Sequence, residues 1–316
     1  MIRFLCSKNG LHDVRGYIPS TMIESIRLFA SAGKGRETND ENNKLREKIL
    51  LILAYPPEHF LNDNEYGREW YELSQKWNTF LKTLCPTDFT DVQLVEKGKR
   101  KFKYDFDIKY LRNSELVHTV KGEFKHNVKS LSDLPQYLDV REDKPYIDVR
   151  YSEYFYDKYI QRLCDLVSLE KPTKDSYLKY VYQNKCNQID FFHMLKDSET
   201  TFYKQKQQLV HESIRTYLDL YANRICLDTV TRDILVQKEK TFILWDCNQF
   251  RADTIQEDEL LLTHVERIKN NNTIVAVSKA GTKHEILLRW KNHLGVLLPA
   301  WRFSLDRSAR QSPILS

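Results

Sequence analysis

Between Tyr104 and Asn127 the chain reads YDFDIKYLRNSELVHTVKGEFKHN, and this stretch restricts the fold more than any other. It predicts two β-strands joined by a tight turn, because strand side chains alternate between faces with a period of two. Tyr104, Phe106, Ile108 and Tyr110 share one face, and Asp105, Asp107 and Lys109 share the other. On the second strand Val120 and Phe124 flank Gly122 on one side, while Lys121, Glu123 and Lys125 lie opposite. The apolar sides must face a core, so the polar sides come together. With Asn113-Ser114-Glu115 as the turn, Asp105 stands across from Glu123 and Asp107 across from Lys121. Directly opposed residues have Cβ atoms about 4.5–5.5 Å apart. Two carboxylates that close repel each other unless a cation lies between them.

The residue types then point to a chemistry. Mg²⁺ takes a few carboxylate oxygens and keeps several waters, which suits an open pair of acids. Lys125, two residues beyond Glu123, points into the same space. A lysine there can orient or help deprotonate a metal-bound water, and can offset charge on a phosphate. A basic run leads into the hairpin, and Lys97, Lys99, Arg100, Lys101 and Lys103, with Lys129 just after it, are candidate phosphate contacts. The plain alternative is a solvent-facing strand pair of mixed charge beside a solvated basic run.

The flanking sequence supplies the frame. Thr21-Met-Ile-Glu24 has capping-box spacing and predicts a helix start. A second helix is expected over Glu41–Tyr55, stopped by Pro56-Pro57. A third is expected over Asn64–Leu84, where Trp70, Leu73, Trp77, Phe80, Leu81 and Leu84 form a core-facing stripe. Val92–Val95 reads as a strand. Residues near Tyr154–Leu169, Lys174–Leu195 and Tyr203–Tyr221 read as helical. Thr241–Trp245 is a short continuous apolar run, the pattern of a buried strand. Strands over Thr273–Val277 and His284–Trp290, with another in Gly295–Leu305, end the chain. Arg289 and Lys291 in this last region are further candidate phosphate contacts, while its tryptophans suit a core. Helices and strands follow one another in blocks with no clean linker, which predicts an α+β fold in one compact body. The expected division is an N-terminal helical region over 1–88 packed on a core over 89–316, with a helical insertion at about 150–222.

Composition excludes some classes. A net charge of +5 over 316 residues is compatible with a polyanionic partner without requiring one. The six cysteines form no CxxC pair and no zinc-type Cys/His spacing, so a reduced intracellular protein is expected. The N-terminal MIRFLCSKNGLHDVRG is too charged for a signal peptide, and no window approaches a membrane span, so neither secretion nor a membrane partner is expected. None of the nine histidines pairs at metal spacing, and no GxGxxG or P-loop occurs.

Asp105 (or Asp107) followed by Glu123-Phe-Lys125, on a β-hairpin behind a helix, resembles the PD-(D/E)XK nuclease superfamily. The resemblance covers roughly residues 64–140, and the proline that often precedes the aspartate is replaced here by Tyr104 or Phe106. It implies a restriction-endonuclease-like mixed β-sheet core flanked by helices. It implies that Asp105 or Asp107 and Glu123 bind Mg²⁺ or Mn²⁺ and that Lys125 serves the attacking water. Its core elements map onto Asn64–Leu84, the strands from Val92 to Lys125, a helix after Ser130, and Thr241–Trp245. Glu69 or Glu72 could supply a helical glutamate, and Gln136 a downstream glutamine, as some members have. The expected function is a metal-dependent endo- or exonuclease hydrolysing phosphodiester bonds, in DNA rather than RNA. The resemblance also admits a homodimer, though no interface is legible in the sequence. The rival is a catalytically inactive nucleic-acid-binding or scaffold protein with the same fold.

Overall fold

The structure is a computed structural model, and it describes residues 3–6, 24–29, 36–61, 67–97, 104–183, 188, 191–193, 199–270, 272–293 and 296–307. The chain divides into two units, Met1–Leu131 with Gln237–Ile255, and Ser132–Val236 with Gln256–Ser316. Residues 1–88 fall within the first of these units, together with the strands that follow them. The architecture is α+β, with helices and two mostly antiparallel sheets.

The first unit is built on a six-stranded sheet. Its strands are β1 (Arg3–Cys6), β2 (Asp91–Glu96), β3 (Phe106–Arg112), β4 (Glu115–His126), β6 (Thr241–Asp246) and β7 (Gln249–Thr254), in the order β1-β2-β3-β4-β6-β7. β1 and β2 are parallel, as are β4 and β6, and the other neighbours are antiparallel. The β4–β6 pairing needs a long crossover, since parallel neighbours cannot be joined by a hairpin. Phe242, Ile243, Leu244 and Trp245 are all buried, as a continuous apolar run in a central strand requires. The hairpin β6–β7 turns at Cys247 and Asn248, both with positive φ. A cysteine in that conformation is uncommon, and β7 is not legible in the sequence.

Two helices, α1 (Arg36–Leu53) and α2 (Gly67–Thr83), complete this unit together with 3₁₀ turns at Glu24–Phe29 and Pro57–Phe60. The helix expected from Thr21 is thus a 3₁₀ turn where it is described, and Thr21 itself lies outside the described residues. The α2 stripe of Trp70, Leu73, Trp77, Phe80 and Leu81 is buried with Val92, Leu94, Phe106, Ile108, Tyr110, Val120 and Phe124 in one core. Three polar side chains of this unit donate to backbone carbonyls. Ser74 Oγ donates to the Leu53 carbonyl at 3.0 Å and Asn78 Nδ2 to the Tyr55 carbonyl at 3.0 Å, so α2 satisfies carbonyls left open at the end of α1. Tyr110 Oη donates to the Leu81 carbonyl at 2.7 Å.

The second unit carries β5 (Gln136–Asp139), β8 (Leu262–Lys269), β9 (Thr273–Ser278), β10 (Lys283–His293) and β11 (Val296–Asp306), in the antiparallel order β5-β11-β10-β9-β8. Its helices are α3 (Tyr151–Lys158), α4 (Ile160–Val167), α5 (Lys174–Tyr182), α6 (Glu199–Tyr221), α7 (Leu227–Ile234) and α8 (Glu257–Leu260). The expected helix after Ser130 is not formed. Leu131–Asp133 makes one 3₁₀ turn and Gln136–Asp139 is a strand paired with β11. Pro135 explains the change, since the residue before a proline is driven out of the helical region. Trp301 is buried, in keeping with the core role expected of it. Among the described residues no helix is long and apolar enough to cross a membrane.

Candidate active site

The hairpin pairs Phe106 with Gly122, Asp107 with Lys121 and Ile108 with Val120, the register the alternation requires. It reaches that register by a different route. The loop has two residues, Asn113 and Ser114, both at positive φ, and Arg112 pairs with Glu115. Such a mirror-image turn matches the twist of the strands it joins. The ladder then passes from Leu111↔Leu116 to Tyr110↔His118, leaving Val117 as an extra residue. The bulge restores what the shorter loop removes, and the faces come out as expected. Phe106, Ile108 and Tyr110 are fully buried.

Asp105 lies just before β3 and is held on both sides. Its N–H donates to the Gly122 carbonyl at 2.9 Å, and its carbonyl accepts from the Lys97 N–H at 2.8 Å. Its Oδ2 accepts from the Phe124 N–H at 2.8 Å, which ties the carboxylate to β4 between Glu123 and Lys125. Glu123 is only 7% exposed. Lys125 Nζ reaches its Oε1 at 2.7 Å and Lys240 Nζ its Oε2 at 2.5 Å. Lys240, 4% exposed, directly precedes β6. Glu123 pairs with Phe242 and Lys125 with Leu244, so Lys240, Phe242 and Leu244 alternate onto the face that carries Glu123 and Lys125.

The charges act on one another. Burial pushes the Asp105 carboxyl up, and Lys125 and the Phe124 N–H only partly offset it. Burial also works against ionised Glu123, but Lys125 and Lys240 outweigh it and hold the carboxyl below its usual range. Burial pulls Lys125 down, yet Glu123, with Asp105 and Glu47, prevails and leaves it raised, so the group stays an ammonium. Lys240 is lowered, chiefly by burial. Glu47, half-buried on α1, is pushed up to about 7 by burial and then by Asp105.

The other expected residues are distributed as follows. Asp107 is buried and its Oδ2 meets Lys97 Nζ at 3.0 Å, while the Tyr104 hydroxyl also bonds to it. Lys121 beside it pairs with Glu239 at 2.6 Å. The register had left both aspartates open; the structure sets Asp105 against β4 and gives Asp107 to Lys97. Glu69 and Glu72 are exposed on α2, near Arg27 and Arg68 respectively. The helical glutamate on which Asp105 and Lys125 act electrostatically is Glu47 instead, on the preceding helix. Gln136 belongs to β5 in the second unit, as do Arg289 and Lys291 of β10. Lys129 is exposed, and its carbonyl accepts from Arg251 at 3.0 Å. Lys99, Arg100, Lys101 and Lys103 lie outside the described residues. Glu47 and Lys240 were not singled out by sequence. The signal for Lys240 was slight: it is the last charge before the apolar run of β6.

Among the described residues no three His, Cys, Asp or Glu side chains are gathered tightly enough to hold an ion alone. The donor set nonetheless fits a hard divalent cation. Asp105 raises the Glu47 carboxyl and Glu123 raises that of Asp105, both in a buried setting, a repulsion that positive charge relieves. Mg²⁺ commonly binds through one or two carboxylates, completing its shell with water and substrate phosphate rather than an all-protein cage. No family model, no curated protein and no solved structure matches this chain.

Proposed function

We propose that the protein is a metal-dependent nuclease of the PD-(D/E)XK type, hydrolysing phosphodiester bonds in DNA, with a restriction-endonuclease-like core in its first unit. The observation that carries this reading is the convergence of Asp105, Glu123 and Lys125, through the Asp105 Oδ2 bond to the Phe124 N–H. Glu47 adds a fourth group from α1.

Asp105 and Glu123 would hold Mg²⁺ or Mn²⁺, with Glu47 beside them. Such an ion supplies charge stabilisation at the phosphoryl oxygens and a lowered pKa for water. The chain's own part follows from its contacts. Lys125 Nζ, kept as an ammonium by Glu123, donates a hydrogen bond toward the attacking water and the scissile phosphate rather than removing a proton. The Asp105 carboxylate is fixed by a backbone N–H, which limits the reorganisation it needs. Lys97, just past the end of β2, and Lys121, within β4, suit contact with backbone phosphate.

One observation favours a second reading, a nucleic-acid-binding protein without catalysis: both oxygens of Glu123 already meet ammonium groups. Incubation with plasmid and single-stranded DNA in Mg²⁺ or Mn²⁺ separates the two. The nuclease reading expects cleavage that Lys125→Ala abolishes. Cleavage that survives this substitution sinks the mechanism, and tight binding without cleavage of DNA or RNA selects the second reading.

A further inference from the structure

Lys240 has no place in the resemblance that led to Asp105, Glu123 and Lys125, yet it is the most buried of the charged groups that meet Glu123. It comes from far along the chain and is delivered by the parallel pairing of β4 with β6, in which Gly122 faces Thr241. Its Nζ closes on Glu123 Oε2 at 2.5 Å and lies 5.9 Å from the ring centroid of the buried Phe242.

The charges around it can be balanced. Glu47, Asp105 and Glu123 oppose Lys125 and Lys240, leaving one negative charge when all are ionised. Lys44 and Glu96, which act on Glu47, cancel. A dication turns that balance into one positive charge, and a phosphodiester, which carries one negative charge per linkage, returns it to neutrality. Without Lys240 the three acids and Lys125 together would neutralise a dication, and the phosphodiester would then be in excess.

We infer that Lys240 is a positioning residue that acts as an internal counter-ion on Glu123: it holds the free cation weakly and makes cation binding depend on a singly charged phosphodiester arriving with it. This rests on the metal-dependent reading above. An ammonium beside a ligand carboxylate repels the incoming cation, and in a buried setting that repulsion is strong. Linkage then requires the cation and the phosphodiester to tighten each other's binding by the same factor.

The test is Mn²⁺ binding to the full chain, followed by calorimetry and by the electron paramagnetic resonance of free Mn²⁺, with folding checked by circular dichroism. Lys240→Met is expected to bind Mn²⁺ at least about tenfold more tightly than the unsubstituted protein, and Lys240→Arg, which keeps the charge, to bind as it does. Equal or weaker binding by Lys240→Met overturns the inference. A second measurement needs no variant. A phosphorothioate-linked oligonucleotide keeps one charge per linkage and is expected to tighten Mn²⁺ binding, while a methylphosphonate-linked one, which has none, leaves it unchanged. The same effect from both, or from neither, overturns the inference. Absence of Mn²⁺ binding by every variant overturns the metal-dependent reading itself, which separates the two failures.

Discussion

Asp105 Oδ2 accepts the backbone N–H of Phe124 at 2.8 Å, and this one bond sets the aspartate between Glu123 and Lys125 on the neighbouring strand. The two aspartates of the YDFD run thereby part company. Asp105→Asn is expected to lower DNA cleavage by at least about 10²-fold, a loss of the size seen when a transition-state contact is removed. Asp107→Asn, which disturbs the pair with Lys97, is expected to act mainly on DNA affinity. Cleavage rates and binding isotherms for both variants check this, and a larger rate loss for Asp107→Asn reverses the assignment.

Glu47 provides a comparison between helices. Glu47→Gln is expected to reduce cleavage, whereas Glu69→Gln and Glu72→Gln, exposed on α2, leave it unchanged. Its titration gives an independent readout. The folded carboxyl is pushed up to about 7, above its value in the unfolded chain. The folded state therefore holds the proton longer, and stability contributed by this group is present at acid pH and declines as pH rises toward 7. Melting temperatures across that window should fall less in Glu47→Gln than in the unsubstituted protein.

Gly122 faces the core between Val120 and Phe124, and a Cβ built there would lie 2.8 Å from Ile243 Cδ1 and 3.4 Å from Ile108 Cδ1. The atom met is the far end of the Ile243 side chain, which is fully buried. Gly122→Ala is expected to destabilise the protein by about 1–3 kcal/mol, the usual range for overpacking. Chemical denaturation measures it, and pairing Gly122→Ala with Ile243→Val should recover part of the loss.

His126 follows Lys125 but turns away from phosphate chemistry. Its ring lies 3.3 Å from the Phe29 carbonyl and stacks edge-on against Phe29. Burial, then Arg46, pulls its pKa down to about 4. The unfolded chain takes up the proton first as pH drops below the ordinary histidine value, so this contribution to stability is lost between about 6.5 and 4. His284, held to about 4 chiefly by burial, acts in the same window in the second unit. Acid unfolding should shift to lower pH in His126→Gln and further with His284→Gln, and cleavage at neutral pH should not depend on the charge of His126.

What the sequence determined by itself was local. Alternation with a period of two placed Phe106, Ile108 and Tyr110 on a core face and put Asp107 opposite Lys121, because a one-residue slip would expose the whole apolar set. That constraint held even though the turn is one residue shorter than expected, since the bulge at Val117 absorbed the difference. The α2 stripe was legible for the same reason, as a helix must bury one face. Tertiary structure decided the rest. Lys240 meets Glu123 only through a parallel pairing across a long crossover, and nothing near either residue encodes that partner. Glu47 joins Asp105 because α1 packs in the unit of β2 and β3, a choice of helix that periodicity cannot make. The division into two units belongs here too, because strands Thr241–Asp246 and Gln249–Thr254 return to the first sheet after the chain has built most of the second unit.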